Sequence, residues 1–142
     1  MAIISSQDIT IIIRIVVAVI LGMIVGIQRE KRKTVERGYG LAGLRTHALV
    51  CLGTALVVAV ISILVPASNG VNLAAIMTGV GFLGAGTIMS TQGKIKGLTN
   101  AASIWIAAAI GISTGLGFYA VSISATILSL LILELKRFEE ID

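Results

Sequence analysis

Seven polar side chains stand where long apolar runs begin or end: Arg14, Glu30, Arg45, Thr46, His47, Thr99 and Asn100. Arg14 lies about five residues inside a run that opens at Ile9. A charge at membrane depth is a functional candidate by default, with snorkelling to the headgroups as the alternative. Arg45, Thr46 and His47 open a second run, and Thr99 with Asn100 opens a later one. Thr46, Thr99 and Asn100 suit helix caps. Together with an arginine and the free amides of two helix N-termini they also suit an anion, and the alternative to simple caps is a shared anionic pocket facing the cytoplasm. Glu30 lies at the inner boundary of the first run, near enough to serve a membrane-depth site, and an ion pair within the neighbouring basic loop is its simpler use.

The residues that are missing exclude several chemistries. His47 is the only histidine and nothing resembles a nucleophile held beside a base and its orienting group, so no catalytic role is expected. The only Asp or Glu inside an apolar run is Glu134, one residue from the end of the last run, whereas Mg2+ takes several oxygen ligands and sheds its waters reluctantly. No metal site or cofactor is expected from these residues, and a pore built on paired carboxylates is disfavoured. Gly79, Gly81 and Gly84 have GxGxxG spacing but lack the strand, helix start and trailing acid of a dinucleotide loop. Cys51, the only cysteine, sits inside an apolar run and is expected to pack rather than react.

The elements that must hold these residues follow from hydropathy. Fifty-six per cent of the 142 residues are hydrophobic and 13% are charged, with a mean hydropathy of +1.03. A soluble core of this size could not hide that much apolar surface. The runs are continuous, without the period-two alternation of a membrane β-barrel. An all-α bundle of five transmembrane helices is predicted, at about 20 residues each: Ile9–Ile27, Leu44–Val65, Val71–Ser90, Thr99–Gly115 and Leu116–Leu135. The last two could instead form a bent hairpin, since only Gly111, Gly115 and Gly117 mark a division.

Five crossings place Arg29, Lys31, Arg32, Lys33, Arg37, Arg45, Lys94, Lys96, Lys136 and Arg137 on one face. The positive-inside rule makes that face cytoplasmic, with the N-terminus outside, the C-terminus inside and residues 1–142 forming one domain. The basic loop after the first run suits anionic lipid headgroups or a docking partner, and no nucleic-acid partner is expected. Gly22 with Gly26, and Gly111 with Gly115, make flat helix surfaces for contacts within the bundle or with a second copy in a homodimer. Gly79, Gly81, Gly84 and Gly86 make either a smooth packing face or a locally broken helix. GLRTHA at Gly43–Ala48 and GLTNAA at Gly97–Ala102 echo one another, each opening a helix at the basic end.

The segment from Arg14 to the GIQRE ending at Glu30, with GLAGLRTHALVCLGTAL, GVGFLGAGTIM and KGLTNAASIWIAAAIGISTGLGFY, resembles the MgtC/SapB family in order and over most of the chain. The resemblance implies a bacterial inner-membrane protein tied to magnesium homeostasis, stress adaptation and virulence. It implies a regulator acting by contact, with the membrane ATP synthase as a partner and membrane lipids around it. A small transporter or channel for Mg2+ or another ion is the rival expectation. The chain departs from the family pattern at Gln28, at Asn100, at Ser68–Val71 and at Ala75. Ending at Asp142, it is similar to the short, SapB-like branch without the soluble C-terminal domain.

Overall fold

A computed structural model describes residues 5–33, 42–64, 72–91 and 94–135. They form five α-helices and one β-hairpin: α1 Ser6–Lys33, α2 Leu44–Leu64, α3 Leu73–Ala85, β1 Met89–Thr91, β2 Lys94–Lys96, α4 Leu98–Gly115 and α5 Tyr119–Glu134. The all-α expectation therefore stands for the five helices, and the hairpin is an addition to it. Three helices, α1, α2 and α4, are long and apolar enough to cross a membrane. At 13 and 16 residues, α3 and α5 fall short of the ~20 that span a hydrocarbon core.

Local chemistry sets the helix ends. α1 starts with a reciprocal cap, in which Ser5 Oγ accepts from the Asp8 amide at 3.1 Å and Asp8 Oδ2 accepts from the Ser5 amide at 2.8 Å. The Asn72 side chain caps α3 by accepting from the Ala75 amide. α3 was expected to run to Ser90 but stops at Ala85, because the amides of Thr87 and Ile88 turn back onto Gly84 and Ala85. The chain then pairs Met89 with Lys96 and Ser90 with Ile95, antiparallel. Gly97 joins this hairpin to α4 at φ +91°, where an added Cβ would lie 1.9 Å from the Thr87 carbonyl oxygen, so no other residue fits. The division between α4 and α5 is a turn, with Gly117 at φ +90° and the Phe118 amide bonded to the Ser113 carbonyl. That turn delays α5 to Tyr119, three residues beyond the expected start.

Residue pairings show how the helices run. Gly26 meets Leu44 while Gly22 meets His47 and Cys51, so α1 and α2 are antiparallel. His47 meets Ser103 and Cys51 meets Ala107, so α2 and α4 are parallel. Gly84 abuts Ala101, and Ser113 bonds Ser122, which sets α3 and α5 antiparallel to α4. α4 packs against all four other helices and forms the hub. The two echoed segments thus begin parallel neighbours, α2 and α4, at the same end of the bundle.

The glycine expectations divide. An added Cβ would lie 2.8 Å from the His47 carbonyl at Gly22, 2.6 Å from Leu44 Cα at Gly26, 2.6 Å from the Cys51 carbonyl at Gly111 and 2.7 Å from the Ala55 carbonyl at Gly115. These four glycines let α1 and α4 press backbone to backbone on α2. Gly79 and Gly81 meet nothing within 4 Å among the described residues. Gly84 makes an ordinary contact with Ala101. Gly86 is neither packing face nor helix interior but the first residue past the end of α3.

The tight seam buries Ala18, Leu21 and Val25 of α1 with Cys51 and Ala55 of α2 and Ala107 and Ile110 of α4. It occupies the middle of the bundle and separates two polar ends.

Candidate functional site

The α1 stripe that builds the seam recurs at helical spacing through Ala18, Leu21, Gly22, Val25 and Gly26, and its next member is Arg29. Periodicity therefore carries a guanidinium into the bundle, where Arg29 is only 8% exposed. Its Nη2 donates to Oδ1 of Asn100, itself 1% exposed in the first turn of α4. The Asn100 Nδ2, also buried, has no hydrogen-bond partner among the described residues.

One helical turn further along α4, Ser103 connects this pair to His47 of α2. His47 is fully buried, with Nδ1 2.8 Å from the Gly43 carbonyl and Nε2 3.0 Å from Ser103 Oγ. A carbonyl only accepts, so Nδ1 carries the proton and donates to it. Ser103 has one hydroxyl proton and two acceptors in reach, His47 Nε2 and the Asn100 carbonyl at 2.8 Å. The arrangement fixes the imidazole between the Gly43 carbonyl and the Ser103 hydroxyl, and the Asn100 amide nitrogen can hold an acceptor.

Glu30 sits at the rim, where its Oε2 accepts from the Leu44 amide at 3.1 Å and caps α2 from a neighbouring helix. The expected caps are thus displaced. Glu30 takes that role for α2, and the N-cap of α4 is Gly97, with no capping side chain, so Thr99 and Asn100 do not serve. Arg45 and Thr99 are exposed and Thr46 is half-buried, leaving them at the edge of the cluster.

Arg14 is not part of this site. It lies 15 residues before Arg29 on the same helix, roughly 22 Å along the axis, at the far side of the seam. There its Nη1 donates to the Gly115 carbonyl at 2.9 Å, placing a cation at the C-terminus of α4 where the helix dipole favours one. Arg29 and Ser103 are the members of this buried cluster that reasoning from sequence missed. Arg29 was counted among the cations of the loop, although continuing the Ala18–Val25 stripe would have found it.

Apolar helices, three of them long enough to span a bilayer, closed around a buried Arg–Asn–Ser–His cluster at one end, define a small helical protein of membrane type. Residues 15–140 match the MgtC family, and the chain belongs to it. It is 39% identical over 119 residues to Protein MgtC of Salmonella typhimurium (strain LT2), a match covering 84% of this chain and 49% of that protein. Over 132 residues it is 40% identical to "Putative magnesium transporter YhiD" of Escherichia coli (strain K12), covering 87% and 59%. Protein MgtC of Brucella abortus (strain 2308) is 36% identical over 121 residues, covering 84% and 48%. The chain spans about half the length of the curated relatives it matches. No solved structure matches it.

Proposed function

We propose that this chain is a multi-pass protein of the bacterial inner membrane that serves magnesium and stress homeostasis by contacting and regulating another membrane complex, rather than by carrying the ion. The observation behind this reading is the seam: seven apolar or thiol side chains, packed around glycines that touch backbone, close the bundle between the Arg14 end and the Arg29 end. A cation crossing there would need oxygen ligands. The seam instead presents methyls, a thiol bonded to the Ala107 carbonyl at 3.0 Å, and a Thr54 hydroxyl bonded to the Val50 carbonyl at 2.9 Å. The resemblance to MgtC suggests the membrane ATP synthase as the complex contacted.

Reconstituted into liposomes loaded with a Mg2+ reporter, the purified chain is expected to give flux indistinguishable from protein-free vesicles. Saturable flux by the chain alone would defeat the proposal. The second reading, a small transporter for Mg2+ or another ion, draws on the name of the Escherichia coli relative. It predicts that Asn100→Leu abolishes such flux while assembly persists.

The membrane placement proposed is five crossings, N-terminus outside and C-terminus inside. The alternation of α1, α3 and α5 against α2 and α4 supports it, as does the gathering of Arg29, Lys31, Arg45 and Lys96 at one end. A reporter fused at the N-terminus that is active only outside the cytoplasm should be active. Activity confined to a cytoplasm-dependent reporter there would sink the topology.

A further inference from the structure

The opposite end of the bundle carries a feature that the regulatory reading does not use. Ser6, Gln7, Thr10 and Arg14 of α1 face Ser62 and Ile63 of α2 across an open groove of about 330 Å³. The groove is lined by hydroxyls, an amide, one guanidinium and the Ile63 side chain, and among the described residues no carboxylate lines it. Asp8, the acid of this end, has its carboxylate turned back onto Ser5. Arg14 spends Nη1 on the Gly115 carbonyl, while its buried Nε has no hydrogen-bond partner among the described residues. The Thr10 and Ser62 hydroxyls rest on carbonyls of their own helices, those of Ser6 at 3.1 Å and Ala59 at 2.8 Å, and can turn onto a ligand without breaking a main-chain bond; with the Arg14 guanidinium on the same groove they call for an oxyanion.

The surroundings narrow which oxyanion. From Ser6 to Arg14 the groove runs roughly 12 Å along the helix, the reach of a headgroup rather than of a whole lipid. Its apolar flanks, Ile9, Ile13 and Leu64, are among the exposed large hydrophobics and would lie against acyl chains. From this arrangement we infer that the groove binds a phosphate ester, with the phosphate oxygens on Arg14 and the Thr10 and Ser62 hydroxyls. An anionic phospholipid headgroup and free phosphate share that chemistry. The inference rests on the proposed bilayer placement but not on any partner or ion activity.

Native mass spectrometry of the full chain in neutral detergent tests it, with phosphatidylglycerol competing against an uncharged galactolipid of the same chains. Wild type is expected to retain phosphatidylglycerol selectively. Arg14→Gln should lower that retention by about tenfold, the factor carried by one charge-assisted hydrogen bond. Because Arg14 also holds Gly115, Ser62→Leu serves as the second variant: it fills the groove, leaves the Arg14–Gly115 bond in place and should lower retention similarly. Lys96→Gln, at the other end, should retain the lipid as wild type does. If retention is unselective but inorganic phosphate raises the unfolding temperature of wild type and not of Ser62→Leu, the phosphate site stands with free phosphate as its source. Equal retention of both lipids with no phosphate effect, or unaltered selectivity in both groove variants, would overturn the inference.

Discussion

Gly111→Val is expected to destabilise the bundle by about 3 kcal/mol, the upper range for overpacked cores, whereas Gly79→Ala should leave stability unchanged or raise it by ~0.5–1 kcal/mol. Both residues are helical glycines in apolar runs, and their surroundings separate them. A Cβ on Gly111 would lie 2.1 Å from Thr54 Oγ1 and 2.6 Å from the Cys51 carbonyl oxygen. The hydroxyl could rotate away, but the carbonyl belongs to the backbone of α2 and can yield only by moving the helix. A Cβ on Gly79 meets open space, so alanine there contributes only its better helix propensity. Unfolding midpoints of the purified variants in one detergent provide the comparison. A Gly111 variant as stable as wild type would mean that α2 and α4 do not touch as described.

The second large effect concerns the buried polar pair. Arg29→Met and Asn100→Leu should each destabilise the fold by about 2–3 kcal/mol, since each removes a hydrogen bond to a charged group at a buried site. In Arg29→Met the Asn100 amide keeps its burial and loses the donor that Oδ1 accepts from. In Asn100→Leu a guanidinium that is 8% exposed loses an acceptor. The double variant replaces both by apolar groups of similar size and should cost less than the sum, with a coupling of about 1–2 kcal/mol in a double-mutant cycle. Strict additivity would show that the two side chains do not interact in the folded protein.

These two results also mark what could be seen in the sequence. The apolar runs and the spacing of Gly22 with Gly26 and Gly111 with Gly115 sufficed for the helices and their close contacts, because burial and backbone approach depend on residues a turn apart. The end of α3 was hidden because Met89 and the residues before it continue the apolar run. The stop is made by main-chain turns at Thr87 and Ile88 and by the left-handed Gly97, which lies beyond a hairpin. Gly79 and Gly81 look the same as Gly111 along the chain, and only the placement of the neighbouring helices tells them apart.

At the candidate site, His47 and Asn100 were recognisable as polar residues at helix starts. Grouping Arg14 with them ignored the length of α1, which puts Arg14 and Arg29 at opposite ends. Ser103 was invisible because a serine in an apolar helix normally bonds its own backbone. Ser103 does so, to the Asn100 carbonyl, while also meeting His47. Arg32, Lys33, Arg37, Ser68–Val71, Lys94, Lys136 and Arg137, which carried part of the charge and family arguments, fall wholly or in their side chains outside the described residues.

The most direct measurement uses Cys51, the only thiol of the chain, set fully buried in the middle of the seam. In proteoliposomes, a membrane-impermeant maleimide added to both sides should leave Cys51 unlabelled while the protein is folded and modify it fully after denaturation. Rapid labelling of the folded protein would reveal water reaching the middle of the bundle, and a seam open to water would contradict a protein that works by contact rather than by conduction.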